Sequence, residues 1–176
     1  YVTGREYDSW YCSGDTSLPA PEPNFNKRIE VPVTAQILDA GGEVINQPVS
    51  LRLQGSSKRG WMKKRFILES SPELSGSSLF PAALFPDTST HSVMTKDSIT
   101  DAFVRDLVSD RNVSLQQSVP VQLYLNGEHL YSWYILERYD NQYFRQHHGV
   151  ENVMLVKSGV VDEDVIIDAD AYGELM

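Results

Sequence analysis

The chain has 176 residues, 41% hydrophobic and 22% charged, ordinary proportions for a globular domain long enough to bury a core. Its formal net charge of −9 argues against nonspecific nucleic-acid binding, because a phosphate backbone needs a basic surface. A single cysteine, Cys12, excludes an internal disulfide and any CxxC metal framework, and no apolar run approaches the roughly 20 residues that span a bilayer.

In chain order, residues 1–28 read as an irregular lead-in, with Pro19, Pro21 and Pro23 among small polar residues. The body, 29–176, opens with Val31, Val33, Ala35 and Ile37 alternating along a strand toward a turn at Asp39–Gly42. Val49, Leu51 and Leu53 mark a second strand ending at Gly55, and a third is expected over about 62–69. Residues 70–90, rich in Ser and Pro, read as a loop anchored by Leu79, Phe80, Leu84 and Phe85. Ser98-Ile-Thr-Asp101 resembles a capping box, and Ile99, Phe103 and Leu107 recur at four-residue spacing, which predicts a helix over 98–111. Asn126-Gly127 joins strands at 119–125 and 129–137, and a polar helix follows Asp140. A short apolar run at 152–156 and a last helix from Asp168 to Met176 complete the reading. Four or five strands with one well-marked helix make an α+β chain, an antiparallel β-sheet with a packed helix.

The charge is uneven. Residues 150–176 carry seven acids against Lys157, while Lys58, Arg59, Lys63, Lys64 and Arg65 stand together without an acid. The basic cluster suits either an anion site or a solvated strand end. It follows the Gly55-Ser56-Ser57 turn, whose amides and hydroxyls suit a polyphosphate beside a strand ammonium; a basic hairpin face is the bland alternative. Asp101, Arg105 and Asp106 share the predicted helix, where an acid can pair with a strand lysine or simply with its own Arg105. Glu137 ends a strand apolar on both faces and is placed to meet a ligand, a partner charge or water. His147-His148 are adjacent and point apart, and the acidic tail lacks EF-hand spacing, so neither suggests a metal.

Taken in order, Gln54-Gly-Ser-Ser-Lys58, Lys63-Lys-Arg-Phe66, Arg105-Asp106 and Tyr124-Leu-Asn-Gly-Glu128 through Tyr134-Ile-Leu-Glu137 resemble the CotH (spore-coat-H-like) family of atypical kinases. Tyr143-Phe144, His148-Gly-Val150 and Asp168-Ala-Asp-Ala-Tyr172 extend the likeness, which covers roughly 29–176. The resemblance implies a protein-kinase-like N-terminal lobe from a secreted, cell-surface or spore-coat bacterial protein. It implies ATP and Mg2+ as cofactors and Ser/Thr of proteins as substrates. By position it assigns nucleotide contacts to Ser56, Ser57, Lys63, Lys64 and Glu137, and a lysine-pairing acid to Asp101 or Asp106. The catalytic and metal-binding acids are then expected beyond Met176. The chain opens at Tyr1 in mid-pattern, which reads as a piece cut from a longer protein, inactive alone. The rival expectation is a non-catalytic surface or spore-coat binding module.

Overall fold

A computed structural model describes residues 13–14, 17, 19, 22–27, 29–55, 59, 63–77, 79–80, 84–85, 90–96, 99–151, 153, 155–157 and 160–161. Its centre is a six-stranded antiparallel sheet built from β1 (Glu30–Asp39), β2 (Gly42–Leu53), β3 (Phe66–Glu69), β4 (Ser92–Lys96), β5 (Ser118–Leu125) and β6 (Glu128–Glu137). The spatial order is β1-β2-β3-β4-β6-β5, so β6 pairs with both β4 and β5. Two short strands, β7 (Val156–Lys157) and β8 (Val160–Val161), pair separately. The helices are α1 (Pro72–Ser75), α2 (Ile99–Leu107) and α3 (Asn141–His148).

Turn chemistry sets the two long hairpins. Asp39 pairs with Gly42, and the Asp39 carboxylate accepts from the Gly41 amide at 2.6 Å. In the β5–β6 turn Asn126 has φ 51° and Gly127 φ 82°, the left-handed pair whose twist matches the flanking strands. With register fixed, alternation sends Val33, Ala35 and Ile37 of β1, Val49 of β2, Leu68 of β3, Val93 of β4 and Val119, Val121 and Ile135 of the β5–β6 hairpin to one core. Phe80, Leu84 and Phe85 of the Ser/Pro-rich loop close that core, and Phe85 has no exposed surface. The loop serves as a lid of anchors, each buried Phe contributing about 1.5–3 kcal/mol.

Two expectations change. Ser92–Lys96 is a sixth strand that periodicity did not signal, inserted between β3 and β6. Helix 98–111 is present as Ile99–Leu107, but none of its residues is buried, so its apolar stripe is not what meets the sheet. Its apolar stripe faces outward, with Ile99 73%, Phe103 65% and Leu107 66% exposed. The helix that does pack is α3, through Tyr143. The last predicted helix, from Asp168, lies outside the described residues.

Candidate functional site

The register builds a second row of side chains on the sheet face opposite the core. Glu30 pairs with Arg52, Arg52 with Ile67, Ile67 with Met94, Met94 with Leu136 and Leu136 with Ser118, so these six residues cross all six strands on one face. Ile67 and Leu136 are buried and Met94 half-buried, which gives this face an apolar floor. One row along, Lys96 pairs with Tyr134 and Tyr134 with Pro120. Gln54 lies beside the floor: its Nε2 donates to the Met94 sulfur at 3.1 Å, while its buried Oε1 has no hydrogen-bond partner. An orphaned buried acceptor costs about 1–3 kcal/mol, and a donor from a ligand would remove that cost.

Helix α2 lies against this face with its polar side inward. Lys96 at the end of β4 forms an ion pair with Asp101, and the Arg105 guanidinium donates to the Ser118 hydroxyl at 3.0 Å. These contacts explain why the apolar stripe turns out: Asp101 and Arg105 sit on the opposite side of the helix from Phe103 and Leu107. The lysine that meets the helix acid is therefore Lys96, one strand later than the expected Lys63 or Lys64. Lys63 is exposed. Lys64 donates to the Arg59 carbonyl at 2.6 Å and stands over the Phe25 ring, 5.2 Å from its centroid. Burial lowers the Lys64 ammonium below the ordinary lysine range. Asp106 is exposed, and Ser56, Ser57 and Lys58 lie outside the described residues.

Glu137 is fully buried and its carboxylate is held within the protein. The Gln117 amide donates to Oε2 at 2.8 Å, and His147 Nε2 donates to Oε1 at 3.1 Å. Its carboxylate fastens β6 to α3 and to the segment before β5. Three residues on, Asp140 caps α3 by accepting from the Tyr143 amide at 2.9 Å and takes the Ser92 hydroxyl at 2.8 Å. Tyr143 donates to the Leu115 carbonyl at 3.1 Å, and Tyr139 donates to that of Ser114 at 3.0 Å. Burial raises both phenols above the usual tyrosine range.

A charged network edges the floor. Glu69 Oε1 accepts from Arg138 at 2.7 Å and from Arg52 at 3.1 Å, and Glu30 lies 3.8 Å from Arg52. Beside it opens a cleft of about 200 Å3 lined by Lys27, Glu30, Arg52, Arg59 and Glu69 among others. A second hollow of about 310 Å3 lies between Ile99 of α2 and Gln122, Ser132 and Tyr134 of the β5–β6 hairpin.

Sequence reasoning missed Lys96, Glu69, Arg138 and His147. Each acts through a partner on another element, and only the pairing of Lys96 with Asp101 is close enough in sequence to have been sought. Among the described residues no group of three or more His, Cys, Asp or Glu could hold a metal ion, and no helix is long and apolar enough to cross a membrane. Comparison of the chain with protein-family models, with curated proteins and with solved structures finds no match in any of the three.

Proposed function

We propose that residues 29–176 are the ATP-binding, N-lobe-like portion of a CotH-type secreted or spore-surface protein kinase, which transfers phosphoryl groups to Ser or Thr as the full-length protein. The observation that carries this reading is the Lys96–Asp101 pair. It sets a strand lysine against a helix acid at the border of an apolar floor, the arrangement that presents an ammonium to nucleotide phosphates. On this face Ile67 and Leu136 are buried and Met94 is half-buried, so Met94 is the one of the three with apolar surface to offer a base; Gln54 Oε1 beside it is a buried acceptor without a hydrogen-bond partner. Bound ATP would supply the phosphoryl group; this chain's own residues would orient it. Lys96 holds the phosphates and Asp101 holds Lys96 in place. Mg2+ would accompany ATP and neutralise phosphate charge; among the described residues no group of three or more His, Cys, Asp or Glu could hold it.

The test is titration of the 15N-labelled chain with Mg-ATP. Saturable shifts at millimolar ATP, centred on Ile67, Met94 and Leu136 and abolished by Lys96→Ala, are expected. Saturation unchanged by Lys96→Ala, or none at all, would overturn the reading. A non-catalytic surface or spore-coat binding module is the second reading, favoured by the outward apolar stripe of α2. It expects no ATP response.

A further inference from the structure

We infer that the hollow between α2 and the outer face of the β5–β6 hairpin is a binding site for a neutral oligosaccharide. At about 310 Å3 it is larger than the cleft beside Glu69, and no charged residue is among the described residues that line it. A small-molecule site is ordinarily concave and mostly apolar, with a few placed polar groups that fix orientation. Here Ile99 of α2 and Pro120 and Tyr134 of the hairpin supply the apolar surface, and Gln122 and Ser132 supply the polar groups.

Strand register builds the arrangement. Pro120 stands opposite Tyr134 and Gln122 opposite Ser132, on the face away from the core that takes Val119, Val121 and Ile135. The Ser132 hydroxyl donates to Gln122 Oε1 at 2.8 Å, and His129 Nε2 donates to the same oxygen at 2.9 Å. Two donors on one oxygen hold the amide in place and leave the Gln122 Nε2 hydrogens and the Ser132 lone pairs for a guest. Turning the amide over exchanges the roles: Nε2 then donates to Ser132, and the Gln122 oxygen and the Ser132 proton meet the guest. Either way the pair presents a donor beside an acceptor. A hydroxyl matches that complement, because it accepts and donates at a single oxygen. A carboxylate or phosphate only accepts and an ammonium only donates, so each leaves half of the pair unmatched.

The rings favour a sugar over other hydroxyl compounds. A sugar carries hydroxyls on its rim and C–H groups on its faces, and those C–H groups pack against the electron-rich face of an aromatic ring. Tyr134 places one ring in the hollow. His129, bonded to Gln122, continues the row to Tyr124, whose ring lies 5.1 Å from the His129 ring and is 58% exposed. From Pro120 to Tyr124 the strand covers about 13 Å, longer than one sugar ring, so the guest is an oligosaccharide.

The site needs no nucleotide, so it stands apart from the ATP reading. The experiment titrates the 15N-labelled chain with the neutral sugars cellotetraose and chitotetraose. Trigalacturonate serves as the acidic sugar control and N-acetyl-tetraalanine amide as the neutral peptide control. Saturable shifts at Ile99, Gln122, Ser132 and Tyr134 are expected with at least one neutral sugar, with a dissociation constant on the order of millimolar, and with neither control. Saturation by chitotetraose alone would add the acetamido group to what the site recognises. Gln122→Ala should weaken binding about fivefold by removing a hydrogen bond, and Tyr124→Ala about threefold by removing a ring. Both residues are exposed, so neither substitution threatens the fold. The inference fails if neither neutral sugar saturates, if the peptide or the acidic sugar saturates the same amides as well, or if both substitutions leave affinity unchanged. Failure here with intact Mg-ATP shifts at Met94 would overturn the sugar site alone; the reverse would overturn the ATP reading alone.

Discussion

Helices α2 and α3 both follow a strand of the same sheet, yet they are held in opposite ways. Helix α2 has the stronger apolar stripe in sequence and buries none of it; it touches the sheet through Lys96–Asp101 and Arg105–Ser118. Helix α3 is polar and is fastened by hydrogen bonds that join His147, the capping Asp140 and Tyr143 to Glu137, Ser92 and Leu115, three different parts of the chain. The difference teaches that amphipathicity states what a helix can bury, while the polar contacts at its ends decide which side meets the sheet. It also separates two kinds of polar group: those around α3 are structural, and those around α2 remain accessible to a ligand.

The largest expected effect falls on α3. Glu137→Ala leaves the Gln117 amide and the His147 ring without their buried acceptor and should lower stability by about 3 kcal/mol, read as a fall in the urea midpoint at constant slope. A loss under about 1 kcal/mol would show that the node is no more rigid than α2. Asp140→Ala removes the cap and strands the Ser92 hydroxyl, for a loss of about 2 kcal/mol; Asp140→Asn, which keeps a capping oxygen, should recover at least half. On the other helix, Lys96→Ala breaks a partly exposed pair and should cost less than about 1 kcal/mol in thermal or urea unfolding. The same variant should lose the ATP response, so stability and binding part company at this position. The smallest effect is Phe103→Ser, expected within about 0.5 kcal/mol of the parent because the ring is exposed. A larger destabilisation would mean that the stripe is covered in solution.

Much of the sheet is legible along the chain because its signals are local. Asp39–Gly42 and Asn126–Gly127 are turns by backbone chemistry, and alternation then dictates which residues of β1, β2, β5 and β6 share the core. Strand β4 is not legible because Ser92-Val-Met-Thr-Lys96 is short, has only two apolar residues and ends in Lys, which strands disfavour. It is a strand because β3 and β6 flank it and satisfy its backbone on both sides.

The sequence by itself determined the two long hairpins, the places of α2 and α3, the anchors Phe80, Leu84 and Phe85, and the basic cluster. Only the tertiary structure decided which charges meet. Glu69 and Arg138 stand 69 residues apart and Gln117 and Glu137 stand 20 apart, separations across which no local pattern carries information. The outward stripe of α2 and the inward carboxylate of Glu137 follow from the same cause. Side-chain direction is set by the sheet beneath, through contacts the chain makes only after it has folded.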